Sequence, residues 1–170
     1  LFALASGQSD VDIDDEKSLA RFQTTLDTVC LELSKMIVKD GEGATKLIQI
    51  FVNGAQTQSD AFEAAQTIAH SNLVKTAAYG EDPNWGRITA AAGRSGAVVD
   101  QDRMDLFFDD VPLVLSGQWQ GEEQEKKAAL AMKNDEIDIT LDLNLGDFSD
   151  RFIFCDFSEK YVKINAEYRS

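Results

Sequence analysis

The sequence predicts an α+β fold, with helices packed on a mixed, largely antiparallel β-sheet. Three observations carry this expectation. Apolar residues recur three and four apart over 15–39, the period of a helix with one buried face. Apolar and polar residues alternate strictly over 136–145, the period of a half-exposed strand. The order along the chain is helix, strand, helix, helix and then mostly strand, which implies helices layered on a sheet.

The first helix is set by Leu19, Phe22, Leu26, Val29, Leu33 and Ile37. Asp12, Asp14, Asp15 and Glu16 crowd its start, where the helix dipole favours negative charge. Gly41 is placed to supply the left-handed residue that ends it. Residues Lys46 to Val52 read as a strand that is apolar on both faces and therefore central, with Gly54 breaking it. Asp60, with Glu63 three residues on, caps a second helix running to about His70. A third, alanine-rich helix is expected from Pro83 to about Ala92, since Pro is tolerated at the first helical position and Asp82 can cap it.

Strand character dominates from about residue 101 onward, dividing the chain into a helix-strand-helix part (about 1–100) and a strand-rich part (about 101–170). Met104, Leu106 and Phe108 form one extended run, and Leu113 and Leu115 another. A short helix is expected over Gly121 to Lys133. Ile137, Ile139, Leu141, Leu143 and Leu145 then mark the alternating strand. Gly146 and Asp147 turn the chain into a last strand, Arg151 to Phe157, and two strands joined this way suggest an antiparallel pair.

Composition narrows the function. Thirty carboxylates against 16 Lys and Arg leave a net charge of −14, so the surface as a whole is a poor partner for nucleic acid or anionic lipid. No apolar run approaches the ~20 residues that span a bilayer. Cys30 and Cys155 read as buried small hydrophobes, and reduced cytoplasm is the expected setting. With His70 the single histidine, no Cys/His cluster for zinc exists; a helix-end position near the negative pole of the dipole accounts for it. The acids between Asp135 and Asp150 alternate with apolar residues, as on a strand face and unlike a calcium loop. The chain does not begin with Met and opens on apolar Leu1 to Ala5, which reads as the interior of a larger protein or as a chain whose start is missing.

Two segments are candidates for carrying chemistry. Asp40-Gly41-Glu42-Gly43-Ala44-Thr45-Lys46 joins the first helix to the central strand. Glycines flanking one carboxylate let the backbone approach a ligand, and Glu42 can hold an amino group by a charge-assisted hydrogen bond. A plain turn with a solvated Glu remains the other reading. Gly80-Glu81-Asp82-Pro83-Asn84-Trp85-Gly86-Arg87 combines a cap, a proline, a Trp and a helical glycine. It reads either as a helix start facing an active-site cleft or as a capped helix with a buried Trp and close packing.

These segments, together with Ser71-Asn72-Leu73-Val74-Lys75-Thr76 and the ending Tyr161-Val162-Lys163-Ile164-Asn165-Ala166-Glu167-Tyr168-Arg169-Ser170, resemble the ornithine acetyltransferase (glutamate N-acetyltransferase) family of arginine biosynthesis, in the family's own order. The opening Leu1 to Gly7 is also similar to a family stretch, so the resemblance covers essentially the whole chain. It implies the C-terminal portion of the β chain of a larger two-domain, self-processing acyltransferase. Such an enzyme moves acetyl from N-acetylornithine to glutamate through an acetyl-threonine intermediate, and some members also use acetyl-coenzyme A. No metal or cofactor is implied. Glu42, Asn165 and Ser170 match substrate-binding positions. The nucleophilic threonine matches nothing in this chain, so the chain alone is expected to be inactive. The implied partners are the α chain and the remainder of the β chain within a higher oligomer, with small amino acids as substrates. Two other readings stay open: a non-catalytic amino-acid-binding or regulatory domain of this fold, and a related self-processing N-terminal-nucleophile hydrolase.

Overall fold

The computed structural model describes residues 6–8 and 12–168; the expectations for Leu1 to Ala5 and for Ser170 lie outside them. Contacts divide the chain into two units, 1–36 and 37–170.

The first unit holds most of α1 (Glu16–Lys39). Asp15 caps it: its carboxylate accepts from the Ser18 N–H at 2.8 Å, while the Asp15 N–H donates back to the Ser18 hydroxyl. That backbone N–H holds the exposed Asp15 carboxyl below its ordinary range. The expected buried face is corrected here. No residue of α1 is buried, and Leu19, Phe22, Leu26, Val29 and Leu33 are all exposed. The amphipathic pattern is present without a covering surface, so the periodicity predicted the helix but not its burial.

The second unit is a six-stranded sheet with α2–α6. Its elements are β1 (Leu47–Ala55), α2 (Gln58–Ala69), α3 (Asn72–Tyr79), α4 (Trp85–Gly93), β2 (Asp105–Phe108), β3 (Val111–Leu115), β4 (Gln118–Trp119), α5 (Glu122–Ala131), β5 (Glu136–Asp142), β6 (Phe148–Cys155) and α6 (Glu159–Glu167). The sheet order is β4-β3-β2-β5-β1-β6. Only β1 and β5 run parallel; every other pair is antiparallel. The α+β class and the mixed, largely antiparallel sheet are thus as expected, and one sheet takes strands from both halves of the chain.

One core runs along the sheet face that carries Ile48, Ile50 and Val52 of β1 beside Ile137, Ile139 and Leu141 of β5. Alanines of α2 and α4, Ile88, and Ala128 and Met132 at α5 join it. Small residues on these helices let their backbones come close to the branched strand side chains, which favours dense packing. The strict alternation of β5 reflects this single buried face.

The last two strands differ from expectation. β5 and β6 do not pair; β1 lies between them. A strand apolar on both faces is best placed where neighbours cover both edges, and β1 takes that slot. The connection 143–147 steps across the end of β1, with Leu143 N–H donating to Asn53 O and Leu145 N–H to Gly54 O. Crossing two strand spacings needs roughly 10 Å, well within the reach of such a segment. Gly54 does not end β1. It sits with φ 65° at an irregularity between Val52 and Ala55, where an added Cβ would collide with the Asp142 carboxylate.

Several caps also shift. The left-handed residue after α1 is Gly43 (φ 72°) in place of Gly41. Thr57, and not Asp60, caps α2 by accepting from the Asp60 N–H. Asn84, and not Asp82, caps α4. Helices α3, capped by Ser71, and α6, capped by Ser158, had no counterpart in the sequence reading. Cys30 and Cys155 are free thiols and half-buried, against the expected full burial, because α1 is uncovered and β6 is an edge strand. His70 does stand at a helix end, packed edge-on to Phe152 at 5.6 Å. Among the described residues, no helix is long and apolar enough to cross a membrane, and no group of three or more His, Cys, Asp or Glu could hold a metal ion.

Candidate functional site

Because β1 and β6 run antiparallel with Leu47 opposite Cys155, the loop before β1 and the segment after β6 meet at one end of the sheet. Asp156, 3% exposed, fastens them. One carboxylate oxygen accepts from the Thr45 N–H (2.8 Å) and the Lys46 N–H (3.0 Å); the other accepts from the Thr45 hydroxyl (2.6 Å). Charge-assisted bonds of this kind are about twice as strong as neutral ones, and none of these groups is left to seek water. Two residues on, the buried Ser158 hydroxyl donates to the Gly43 carbonyl at 2.6 Å.

This fastening brings two of the sequence-identified residues together. The Asn165 side-chain amide, on α6, donates to Glu42 Oε2 at 3.0 Å and to the Tyr161 carbonyl at 3.0 Å. Glu42 and Asn165 are 123 residues apart in sequence and both are exposed. Ser170 lies outside the described residues. Gly43 makes the approach possible: an added Cβ would stand 2.7 Å from Tyr161 N, and φ 72° is costly for any other residue.

Lys46, at the end of the same loop, carries a side chain only 6% exposed. Its ammonium pairs with Glu81 Oε1 at 3.4 Å and donates to the Asn134 carbonyl at 3.3 Å, as a buried charge must be paired. Glu81 is itself left-handed (φ 56°), a conformation that costs a non-glycine residue about 1 kcal/mol or more. Arg87 donates to the Leu73 carbonyl at 2.9 Å and to the Thr76 hydroxyl, tying α4 to α3. The Phe157 N–H donates to the Lys75 carbonyl. The four segments therefore form one series of contacts: 161–170 to 40–46, 40–46 to 80–87, and 80–87 to 71–76. The Gly80–Arg87 segment acts here as a brace: Trp85 is half-buried against the core, while Gly86 faces no tight contact.

A cleft of about 340 Å³ flanks the loop, lined by Lys39, Thr45, Lys46, Asp135 and Glu136 among others. Its lining carries charges of both signs, Lys39 being ion-paired to Glu136. Asp156 and Ser158 escaped the sequence reading. The one available signal was Ser158 followed by Glu159, a helix-start pattern.

The ArgJ family model matches residues 1–170, the whole chain. The chain belongs to the ArgJ family. Among its relatives, it is 47% identical, over all of its length, to the arginine biosynthesis bifunctional protein ArgJ of Syntrophotalea carbinolica, and spans 44% of that protein. It is 48% identical over 99% of its length to the glutamate N-acetyltransferase of Methanocaldococcus jannaschii, spanning 43% of it. The crystal structure of ArgJ from Bacillus halodurans superposes with a TM-score of 0.86 at 36% identity, covering 96% of this chain and 76% of that one. The chain thus spans less than half the length of the curated ArgJ relatives it matches.

Proposed function

We propose that this chain is part of a glutamate N-acetyltransferase that moves acetyl from N-acetylornithine to glutamate, and that it supplies the grip on the amino-acid substrates. Acyl transfer needs a nucleophile, an oxyanion hole and a hold on the substrate's charges. The third is supported by the Glu42–Asn165 contact at 3.0 Å, the observation that carries this reading. Glu42 receives the substrate's ammonium group. Asn165 steadies one carboxylate oxygen and keeps its own amide oxygen to accept from the ligand, and Ser170 completes the set.

In the first half-reaction, a threonine hydroxyl outside this chain attacks the acetyl carbonyl of N-acetylornithine. The C–N bond breaks, and ornithine leaves with the proton on its amine. In the second, the glutamate amine takes the acetyl from the threonine ester and the hydroxyl is restored. The rest of the longer protein, the α chain and the remainder of the β chain, packs on the exposed stripe of α1 within a higher oligomer. Two free thiols suit a reducing, cytoplasmic setting.

The test is Glu42→Gln in the complete protein. Losing one partner of a charge pair that bound substrate shields from water costs about 2–5 kcal/mol, so KM should rise strongly. Processing into two chains should survive, since Glu42 takes no part in it. Steady-state kinetics beside a gel of the processed chains decides. Unchanged kinetics would return Glu42 to a plain turn residue.

A further inference from the structure

We propose that Ser158 is a positioning residue for the substrate grip, a role that rests on the reading of Glu42 and Asn165 given above. Its hydroxyl does two things at once. It donates to the Gly43 carbonyl at 2.6 Å, and it accepts from the Tyr161 N–H at 3.3 Å as the cap of α6. The same residue closes the path on its other side, because the Tyr161 carbonyl accepts from the Asn165 amide, which also donates to Glu42. Glu42 and Gly43 are neighbours in the chain, so these contacts form a closed circuit: Gly43, Ser158, Tyr161, Asn165, Glu42.

A closed circuit fixes distance where a single bond would not. Neither the loop nor α6 can slide without breaking a bond elsewhere in the ring. Gly43 sharpens this, since its missing Cβ lets Tyr161 N approach where a side chain would stand at 2.7 Å. Ser158 is 3% exposed, so water cannot readily replace its hydroxyl. Glu42 and Asn165 are exposed and would otherwise sample many rotamers. Ser158 thus spends no contact on substrate but holds the pair that does.

The experiment uses the full-length protein with Ser158→Ala, Glu42→Gln and the double variant. Hydrogen–deuterium exchange should quicken in the first turn of α6 and in the loop 41–45 for Ser158→Ala. KM for N-acetylornithine should rise about tenfold with kcat changed by less than about twofold, as expected when uniform binding is lost. In the Glu42→Gln background, Ser158→Ala should add less than about twofold, because its effect acts through Glu42. Unaltered exchange would overturn the clamp itself. Quickened exchange with an unmoved KM, or a full tenfold effect in the double variant, would make Ser158 merely structural. A Glu42→Gln variant with normal KM would overturn the underlying reading of Glu42 and this proposal with it. Should Ser158→Ala give no soluble protein, Ser158→Cys, a weak donor of similar size, serves the same comparisons.

Discussion

Glycines in the loop that carries Glu42 and in the Gly80–Arg87 segment have opposite physical reasons. Gly43 is left-handed and crowded against Tyr161 N and Ser158 Oγ, whereas the Cβ of an alanine at Gly86 would meet only Asn84 Oδ1 at 3.6 Å, an ordinary contact. Gly43→Ala should therefore destabilise the chain by about 2–4 kcal/mol, from backbone strain plus displaced contacts. Gly86→Ala should be neutral or stabilising by up to about 1 kcal/mol, since Ala restricts the unfolded chain. Urea denaturation of both variants checks this, and equal losses would contradict it. At this scale the sequence was partly legible. The Gly-Glu-Gly spacing offered Glu42 as a candidate beside a plain-turn reading, and the resemblance singled out Glu42 and added Asn165. The long-range contacts of Asp156 and Ser158 were not legible, because their partners lie 111 and 115 residues away; the local signal at Ser158 marks only a helix start.

Elements whose signal is local were read well. The alternation of β5 and the largely apolar run of β1 each reported how many faces are buried. Helices α3 and α6, at 8 and 9 residues, are too short for periodicity to stand out, and only their serine caps betray them. Strand partners are not a local property either, so the insertion of β1 between β5 and β6 could not be read from a turn. Helix α5 shows local electrostatics at work. Glu123 stands in its first turn and accepts from Lys127 at 2.8 Å, four residues on. That hydrogen bond first, and then the Lys127 charge, hold the exposed Glu123 carboxyl below its ordinary 4.5. A depressed folded-state pKa stabilises the fold above the unfolded value and ceases to do so as pH falls through the folded value. The contribution of this pair should thus be present at neutral pH and disappear below about 4.5. Side-chain carboxyl NMR should show Glu123 titrating below 4.5 in the native chain and closer to it in Lys127→Ala. Identical midpoints would refute the pairing.

At the scale of the whole molecule, the acidic surface and the single core explain the second unit, but they leave α1 with a large apolar face in water. Leu19, Phe22, Leu26, Val29, Leu33 and Met36 are between 36% and 64% exposed. Their spacing alternates three and four, the 3.5-residue period of a seam that receives another helix or surface side by side. Contiguous apolar faces of this kind usually mark an interface. Since ArgJ relatives are more than twice as long as this chain, the proposed covering is the rest of a longer protein. Two preparations can separate burial in the isolated chain from burial in the whole protein. Leu26→Ser with Leu33→Ser should change the stability of the isolated 170 residues by no more than about 0.5 kcal/mol, because exposed side chains contribute little to folding. It should also lower self-association there, since the stripe is the apolar surface it removes. In the full-length protein the same pair should cost about 3 kcal/mol or more, since each leucine then leaves a cavity lined by its partner. Chemical denaturation of the two preparations, beside light scattering of the isolated chain, measures all three effects. A comparable loss in both preparations would mean that α1 is already covered within the 170 residues, and a loss in neither would mean that the rest of the longer protein packs elsewhere.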